Sequence, residues 1–346
     1  MLPPLRFRPI AKARAWGGAR LSRYGKPTAA GGPTGETWEL ADLPDSIPDG
    51  RSTVDGGPFD GRTLREIREA HREALLGIAT PAPDGAFPLL VKFLDAAENL
   101  SLQVHPDEAY ARAHPDCHLK TEAWIVVECE PGARVYRGIR PETTPAEFEA
   151  ALAEGRALEH LESYEVAPGD CVYLPSGTCH ALGAGILAAE VQTPSDTTFR
   201  VWDWDRNDPK RPLHLAQARA CMKFGAAQRD GIPGFVRAGE AAGFEAAGIA
   251  TTRLCRSAFF TIERLEATGT SATIAPIPLA PTGVPEVWIT LAGEARFETA
   301  SGTVAAPAGT TVLRPAAVEE GAVVLAPGAI VLRTICASPI DRAIAG

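Results

Sequence analysis

Apolar residues along the chain fall into short runs: PLLVKFLDA, LSLQVH, EAWIVVEC, ARVYRGI, GDCVYLPSGTCHALG, ILAAEVQT and TTFRVWDW. They are rich in Val, Leu, Ile and aromatics, and Pro-Gly, Ser-Gly and Gly-Ala-Gly punctuate them, which predicts short strands joined by turns. Such an array is expected to form a β-sandwich or jelly roll. Helical spacing interrupts it in three places. In RTLREIREAHREALLG, Leu64, Ile67, His71, Leu75 and Leu76 share one face and Gly77 supplies a stop, which predicts one amphipathic helix. In TPAEFEAALAEGRALEHL, Thr144 can cap, Pro145 takes the first helical position and Glu147 completes a capping box. A third helix is expected to begin near Leu213 in LHLAQARACMKF.

The pattern also divides the chain. Residues 1 to about 60 are rich in Gly, Pro and Asp around the aromatic anchors Phe7, Trp16 and Trp38, as in an edge sheet with long connections. Residues 226–254 are Ala/Gly-rich and weakly patterned, and a linker is expected there. A second strand-rich block begins near Ser257 and includes EVWITLAGEARFETA and GTTVLRPAAV, a weaker echo of the first block's strand and turn order.

Composition agrees with strands and turns: 33 glycines and 30 prolines are too many for a helical bundle, and 45% hydrophobic residues are too many for a disordered chain. The net charge of −9 argues against nucleic acid and anionic membranes as partners. Seven cysteines, with no Cys-x-x-Cys pair, suggest neither a disulfide framework nor a thiolate zinc cluster, and a reducing cytoplasm fits them. The N-terminal MLPPLRFRPI lacks the apolar stretch of a signal peptide, and the uncharged run Ala267–Pro285 carries four prolines, so no spanning helix is expected.

Candidate chemistry gathers in the first block. Gln103 and His105 alternate in one strand, so their side chains leave the same face about 7 Å apart. Glu122 opens the EAWIVVEC strand and His180 closes GDCVYLPSGTCH. Two imidazoles, a carboxylate and an amide oxygen can converge on one ion, and that donor set suits Zn, Fe, Mn or Ni. All seven histidines lie at or before His214, so the second block is expected to carry no comparable site. His71 is expected to pack, and His114, His118 and His160 to be solvated in loops. Cys179 and His180, as strand neighbours, point to opposite faces and are poorly placed as nucleophile and base; Cys171 and Cys179 read as buried small residues. A second cluster is cationic: Lys92, Lys120 and Arg200 lie within or beside apolar strands and need partners, either nearby acids such as Asp95 or Asp196, or an anionic ligand beside the metal. Ser101 could add a hydroxyl donor to a phosphate.

The segments AWGGARL, GETWELAD with DSIPDG, PLLVKFLDAAENLSLQVHPDEAYA, KTEAWIVVECEPGARVYRGI, PGDCVYLPSGTCHALGAGILAAEVQTPSDTTFRVWDW and RPLH cover most of residues 5–215. Together they resemble the type I phosphomannose isomerases of the cupin superfamily, in the short bacterial form. The resemblance implies a mainly β bicupin of two jelly-roll barrels with a few added helices: a catalytic domain over 1–225, the linker 226–254, and a C-terminal barrel over 255–346 that has lost its ligands. It implies one zinc per chain, other divalent metals being possible, on Gln103, His105, Glu122 and His180. It further implies Arg200 as active-site arginine, Glu190 and Asp196 as acidic neighbours, and Lys92 and Lys120 as substrate contacts. The implied activity is a cytoplasmic aldose–ketose isomerisation of a sugar phosphate, mannose 6-phosphate to fructose 6-phosphate through a cis-enediol. Glu190 is the expected base, since burial on an interior strand near the metal can tune a carboxylate toward neutral pH, with a metal-bound water or Lys120 as alternatives. Competing readings are a non-catalytic sugar-phosphate-binding cupin, a cupin isomerase for another aldose, and a metal dioxygenase. Phe199, where the family commonly has Tyr, and Thr193-Pro194, where it has Gln-Ser or similar, depart from the pattern.

Overall fold

A computed structural model describes residues 1–228, 231–272 and 274–345. The fold is mainly β, as expected, and among the described residues the strands form four sheets. The first part of the chain supplies β1 (Leu5–Arg8), β2 (Ile10–Gly18), β3 (Thr34–Leu40), β4 (Thr53–Val54), β5 (Leu90–Ala96), β6 (Leu102–Val104) and β7 (Glu122–Cys129). It continues with β8 (Arg134–Ile139), β9 (Leu161–Glu165), β10 (Cys171–Leu174), β11 (His180–Leu182), β12 (Ile186–Gln192), β13 (Phe199–Trp202) and β14 (Phe235–Val236). A seven-stranded sheet has the order β14-β10-β7-β12-β5-β2-β3, and a five-stranded sheet the order β13-β6-β11-β8-β9.

These two sheets face one another across an apolar cluster that includes Leu94, Trp124, Val126 and Ala188 of the larger and Val135 and Leu182 of the smaller. The other side of the seven-stranded sheet, with Val91, Phe93, Ile125 and Ala189, packs on Ile262, Val287, Ile289 and Leu332 of the second block. Both its faces are therefore buried, and β5 and β12 are buried at every position. That explains why PLLVKFLDA and ILAAEVQT read as continuous apolar runs instead of alternating ones. It also fixes where the charges point. On β5, Val91 and Phe93 face the second block, so Lys92, between them, faces the interior of the first sheet pair.

The second block pairs an eight-stranded with a four-stranded sheet, through Trp288, Val312 and Val331 on one side and Ala295, Phe297 and Val323 on the other. Its buried charges are matched to one another. Arg314 lies 3.3 Å from Glu286, and Arg333 pairs with Glu263 across neighbouring strands.

The division of the chain differs from the sequence pattern in two ways. Strand β1 pairs with the second block, Leu5 opposite Leu313, with β4 beyond it at the sheet edge. The segment 226–254 carries β14, which pairs with β10, and then the strand Gly243–Ala246 and most of Ile249–Arg256. Its residues 229 and 230 lie outside the described residues. Low apolar periodicity concealed these strands because Gly243–Ala246 is exposed throughout.

Helix expectations are met at the caps more than in the lengths. The predicted single helix is two, α1 (Leu64–Ala70) and α2 (Arg72–Leu76), separated by His71 at φ −136° and ψ 37°. The break lets Leu64 and Ile67 from one piece and Leu75 and Leu76 from the other all enter the core, while His71 packs edge-on to Phe59. Helix α3 (Glu108–Ala113), not foreseen, is capped by Asp107, whose side chain accepts from Tyr110 N at 2.9 Å. Helix α4 (Pro145–Ala153) has the expected capping box of Thr144 and Glu147, and α5 (Leu215–Cys221) follows the RPLH segment. Thr144→Ala is expected to cost about 1 kcal/mol, read as a lower urea midpoint with unchanged slope. No helix among the described residues is long and apolar enough to cross a membrane.

Candidate metal centre and substrate cleft

Two rows of side chains meet between the seven- and five-stranded sheets. On the smaller sheet Arg200 of β13 is in register with Gln103 of β6, and Gln103 with His180 of β11. On the larger, Glu190 of β12 is in register with Lys92 of β5 on one side and Trp124 of β7 on the other. Alternation along β7 puts Glu122 on the same side as Trp124.

The polar residues between these positions tie loops together. His105 follows β6, and its carbonyl accepts from Gly177 N at 3.0 Å. Gly177 has φ of 86°, and a Cβ there would meet Lys223 Cδ at 2.8 Å and the Cys221 carbonyl at 2.9 Å, so the SGTCH turn requires glycine. Thr121 N donates to Thr193 Oγ1 at 3.1 Å, and Ser176 N to Thr121 Oγ1 at 3.2 Å. Ser195 Oγ donates to the His118 carbonyl at 3.0 Å. The threonines and serines of KTEAW, PSGTCH and SDTTFR thus position the loops that carry the charged groups.

His105, Glu122 and His180 are buried, and one donor atom from each falls within 4.8 Å of the others. His180 Nδ1 lies 2.8 Å from the Thr178 carbonyl and donates its proton there, which turns Nε2 towards the carboxylate. Nε2 is 3.1 Å from Glu122 Oε1, itself 3.5 Å from His105 Nε2. Neither ring nitrogen of His105 nor Glu122 Oε1 has a hydrogen-bond partner. A divalent metal fits this arrangement, since one ring nitrogen of each histidine and a carboxylate oxygen of Glu122 would bind it together. Gln103 belongs to the same group: its Nε2 is 3.2 Å from His180 Nε2, and a half-turn of the amide exchanges nitrogen for oxygen.

Electrostatics favour the ligand forms. Burial, with Lys120 nearby, pushes His105 down to about 3, so its ring is neutral. Burial would raise the Glu122 carboxyl, but Lys120 and His105 outweigh it and hold it well below the usual carboxylate range. Lys120 Nζ is 2.9 Å from Glu122 Oε2. Burial works against the lysine's charge, yet Glu122 and Glu190 together hold its pKa above the ordinary value.

A cleft of about 310 Å³ opens beside this centre, and Lys92, Ser101, Gln103, Lys120, Glu190, Asp196 and Arg200 all line it. Lys92 does not pair with Asp95, which faces the other way and holds Arg20 at 2.7 Å. Its Nζ lies instead 3.4 Å from Glu190 and 3.8 Å from Glu36. Asp196 is exposed. Arg200 donates to the Pro212 carbonyl at 2.9 Å, and its buried Nε has no hydrogen-bond partner. Ser101 Oγ is 3.4 Å from Gln103 Oε1. Glu190 Oε1 accepts from Trp124 Nε1 at 2.9 Å. Burial raises the Glu190 pKa against the pull of Lys92.

Some of the lining escaped the sequence reading. Arg14 Nε lies 2.8 Å from Glu36 Oε1, and Arg211 binds Asp203 through two nitrogens at 2.7 and 2.8 Å. Burial would raise the Glu36 carboxyl, but Arg14 and Lys92 hold it well below the usual range. Glu36 had a signal, an acid inside the apolar GETWEL run, the same argument that singled out Lys92. Arg14 had none, because AKARAW alternates like a solvated edge. Cys179 packs with Val104 and Phe199 in a separate cluster, so it and His180 do diverge. Away from the centre, His114 stacks on Tyr110 and His160 bonds Thr143 Oγ1 at 3.1 Å.

Residues 5–124 match the family described as phosphomannose isomerase type I, catalytic domain. The chain is 42% identical over 219 residues to mannose-6-phosphate isomerase ManA of Bacillus subtilis, an alignment covering 62% of this chain and 66% of that protein. It is 36% identical over 275 residues to the mannose-6-phosphate isomerase of Streptococcus mutans, covering 78% of this chain and 80% of the relative. In three dimensions it is similar to the crystal structure of the mannose 6-phosphate isomerase from Bacillus subtilis, with a TM-score of 0.80 and 28% identity over 96% of this chain and 99% of the other.

Proposed function

This chain belongs to the mannose-6-phosphate isomerase family, and from that membership we propose that it interconverts mannose 6-phosphate and fructose 6-phosphate through a cis-enediol, with one zinc per chain. The observation that carries the reading is a buried carboxylate, Glu190, lining one cleft with Gln103, Lys92, Lys120 and Arg200 beside the His105, Glu122 and His180 cluster. Gln103, His105, Glu122 and His180 would hold the metal, whose contribution when bound is Lewis-acid polarisation of the substrate oxygens on carbons 1 and 2.

The remaining chemistry belongs to side chains. Isomerisation moves one proton from carbon 2 to carbon 1 and a second from the oxygen on carbon 2 to the oxygen on carbon 1. Glu190 takes and returns the carbon-bound proton, its burial making the carboxylate a stronger base than an exposed one, while the hydroxyl proton passes between the two oxygens. Arg200 stabilises negative charge developing on the reacting oxygen, an effect that grows as water is excluded. Lys92, Ser101, Lys120 and Arg200 bind the sugar phosphate. Asp196, on the exposed side of the cleft, is the second acid, placed to exchange protons with solvent while the ring opens.

A coupled assay on metal-analysed protein, with mannose 6-phosphate set against other aldoses and aldose phosphates, tests this reading. Mannose 6-phosphate is expected to be the preferred substrate. Rigorous chelation should abolish turnover, and zinc should restore it. No turnover of mannose 6-phosphate, or activity that survives metal removal, overturns it.

A further inference from the structure

Trp124 touches both halves of the site. Its Nε1–H donates to Glu190 Oε1 at 2.9 Å, and its ring meets that of His180 edge-on at a centroid distance of 5.4 Å and 74°. The indole is wholly buried, so neither contact competes with water.

Among the described residues, two other indoles donate to a glutamate, and they show what is different here. Trp38 Nε1 donates to Glu36 Oε2 at 2.7 Å while Arg14 takes Oε1. Trp288 Nε1 donates to Glu286 Oε2 at 2.9 Å while Arg314 lies 3.3 Å from Oε1. In each case tryptophan and glutamate are two residues apart on one strand and both carboxylate oxygens are engaged. Trp124 and Glu190 instead pair across β7 and β12. Glu190 Oε2 is buried without a hydrogen bond, with only the Lys92 ammonium 3.4 Å away.

The consequence is directional. The terminal torsion of a glutamate is broad, and an ammonium on a four-carbon stem is a point charge that does not select one orientation. An indole N–H is a donor along a single line. It therefore pins Oε1 and leaves Oε2 without a hydrogen bond, facing the Lys92 ammonium. We propose that Trp124 is a positioning residue for turnover, holding Glu190 by one oxygen so that the other is presented for proton transfer. The inference rests on Glu190 being the proton-transferring group.

Two variants test it: Trp124→Phe, and Trp124 replaced by 3-benzothienylalanine, which keeps the indole shape but puts sulfur in place of N–H. In both, kcat for mannose 6-phosphate is expected to fall about 10- to 100-fold, the loss of one hydrogen bond to a charged group. KM should stay within about threefold and bound metal should be unchanged. In a Glu190→Gln background, Trp124→Phe should lower kcat by less than about twofold, because the two residues act as one unit. Wild-type kcat in the sulfur isostere overturns the inference, as does an equal loss from Trp124→Phe in both backgrounds or a fall in kcat that tracks metal loss. If Glu190→Gln alone turns over normally, the assignment of the base fails and this inference with it. An impaired Glu190→Gln beside a fully active isostere defeats only the role of Trp124.

Discussion

Alanine at His180 is expected to remove bound metal and turnover together, with metal falling to less than about a tenth of the wild-type content and kcat/KM by roughly 10⁴-fold. The imidazole is held in place before any ion arrives, since Nδ1 donates to the Thr178 carbonyl at 2.8 Å and the ring rests against Trp124. That preorganisation disappears with the ring. Of the donors that remain, Gln103, His105 and Glu122, only Glu122 is charged, and Lys120 already balances it at 2.9 Å, so the emptied centre has little electrostatic reason to recruit a cation. The same balance should let the variant fold, which circular dichroism and thermal melting check. His180→Gln, which restores a neutral donor at greater reach, should regain part of the metal and less of the activity. An active, metal-free His180→Ala protein would remove the metal from the mechanism altogether.

Glu190→Gln is expected to lower kcat by about 10³-fold, within the range for removing a general base, while metal content stays at the wild-type level. Glutamine is nearly isosteric with glutamate, and its carbonyl can still accept from Trp124 Nε1, so loss of activity would report loss of basicity instead of displacement. Lys92 keeps Glu36 at 3.8 Å as a counter-charge, and burying a neutral amide costs less than burying a carboxylate, so stability should be little changed. Exchange of the carbon 2 hydrogen with solvent should disappear along with turnover. Normal turnover with normal exchange would exclude Glu190 and turn attention to Lys120 or a metal-bound water.

The net charge of −9 describes the solvated surface and not this cleft, where Lys92, Lys120 and Arg200 gather beside the metal donors. These cations were legible because a charge inside an apolar run needs a reason. Ser101, Gln103 and His105 were legible because residues two apart on a strand share a face. Trp124 was not, since a tryptophan in EAWIVVEC reads as core, and its bond to Glu190 depends on which strand lies beside β7. Likewise the break at His71 depends on the shape of the core that Leu64, Ile67, Leu75 and Leu76 must all reach. The pairing of β1 with Val312 and Leu313 joins residues some three hundred positions apart.

By itself the sequence determined the local features: strand-length apolar runs, the caps at Thr144 and the glycine stop at Gly77, and the residue types able to hold a metal and an anion. Those follow from backbone sterics and side-chain period, which act over a few residues. Only the tertiary structure decided strand order and register, and with them the two rows, Arg200–Gln103–His180 and Lys92–Glu190–Trp124, that face each other across the cleft. Register is set by burial of whole faces against distant strands, and a slip of one residue would turn each of these side chains away from the site.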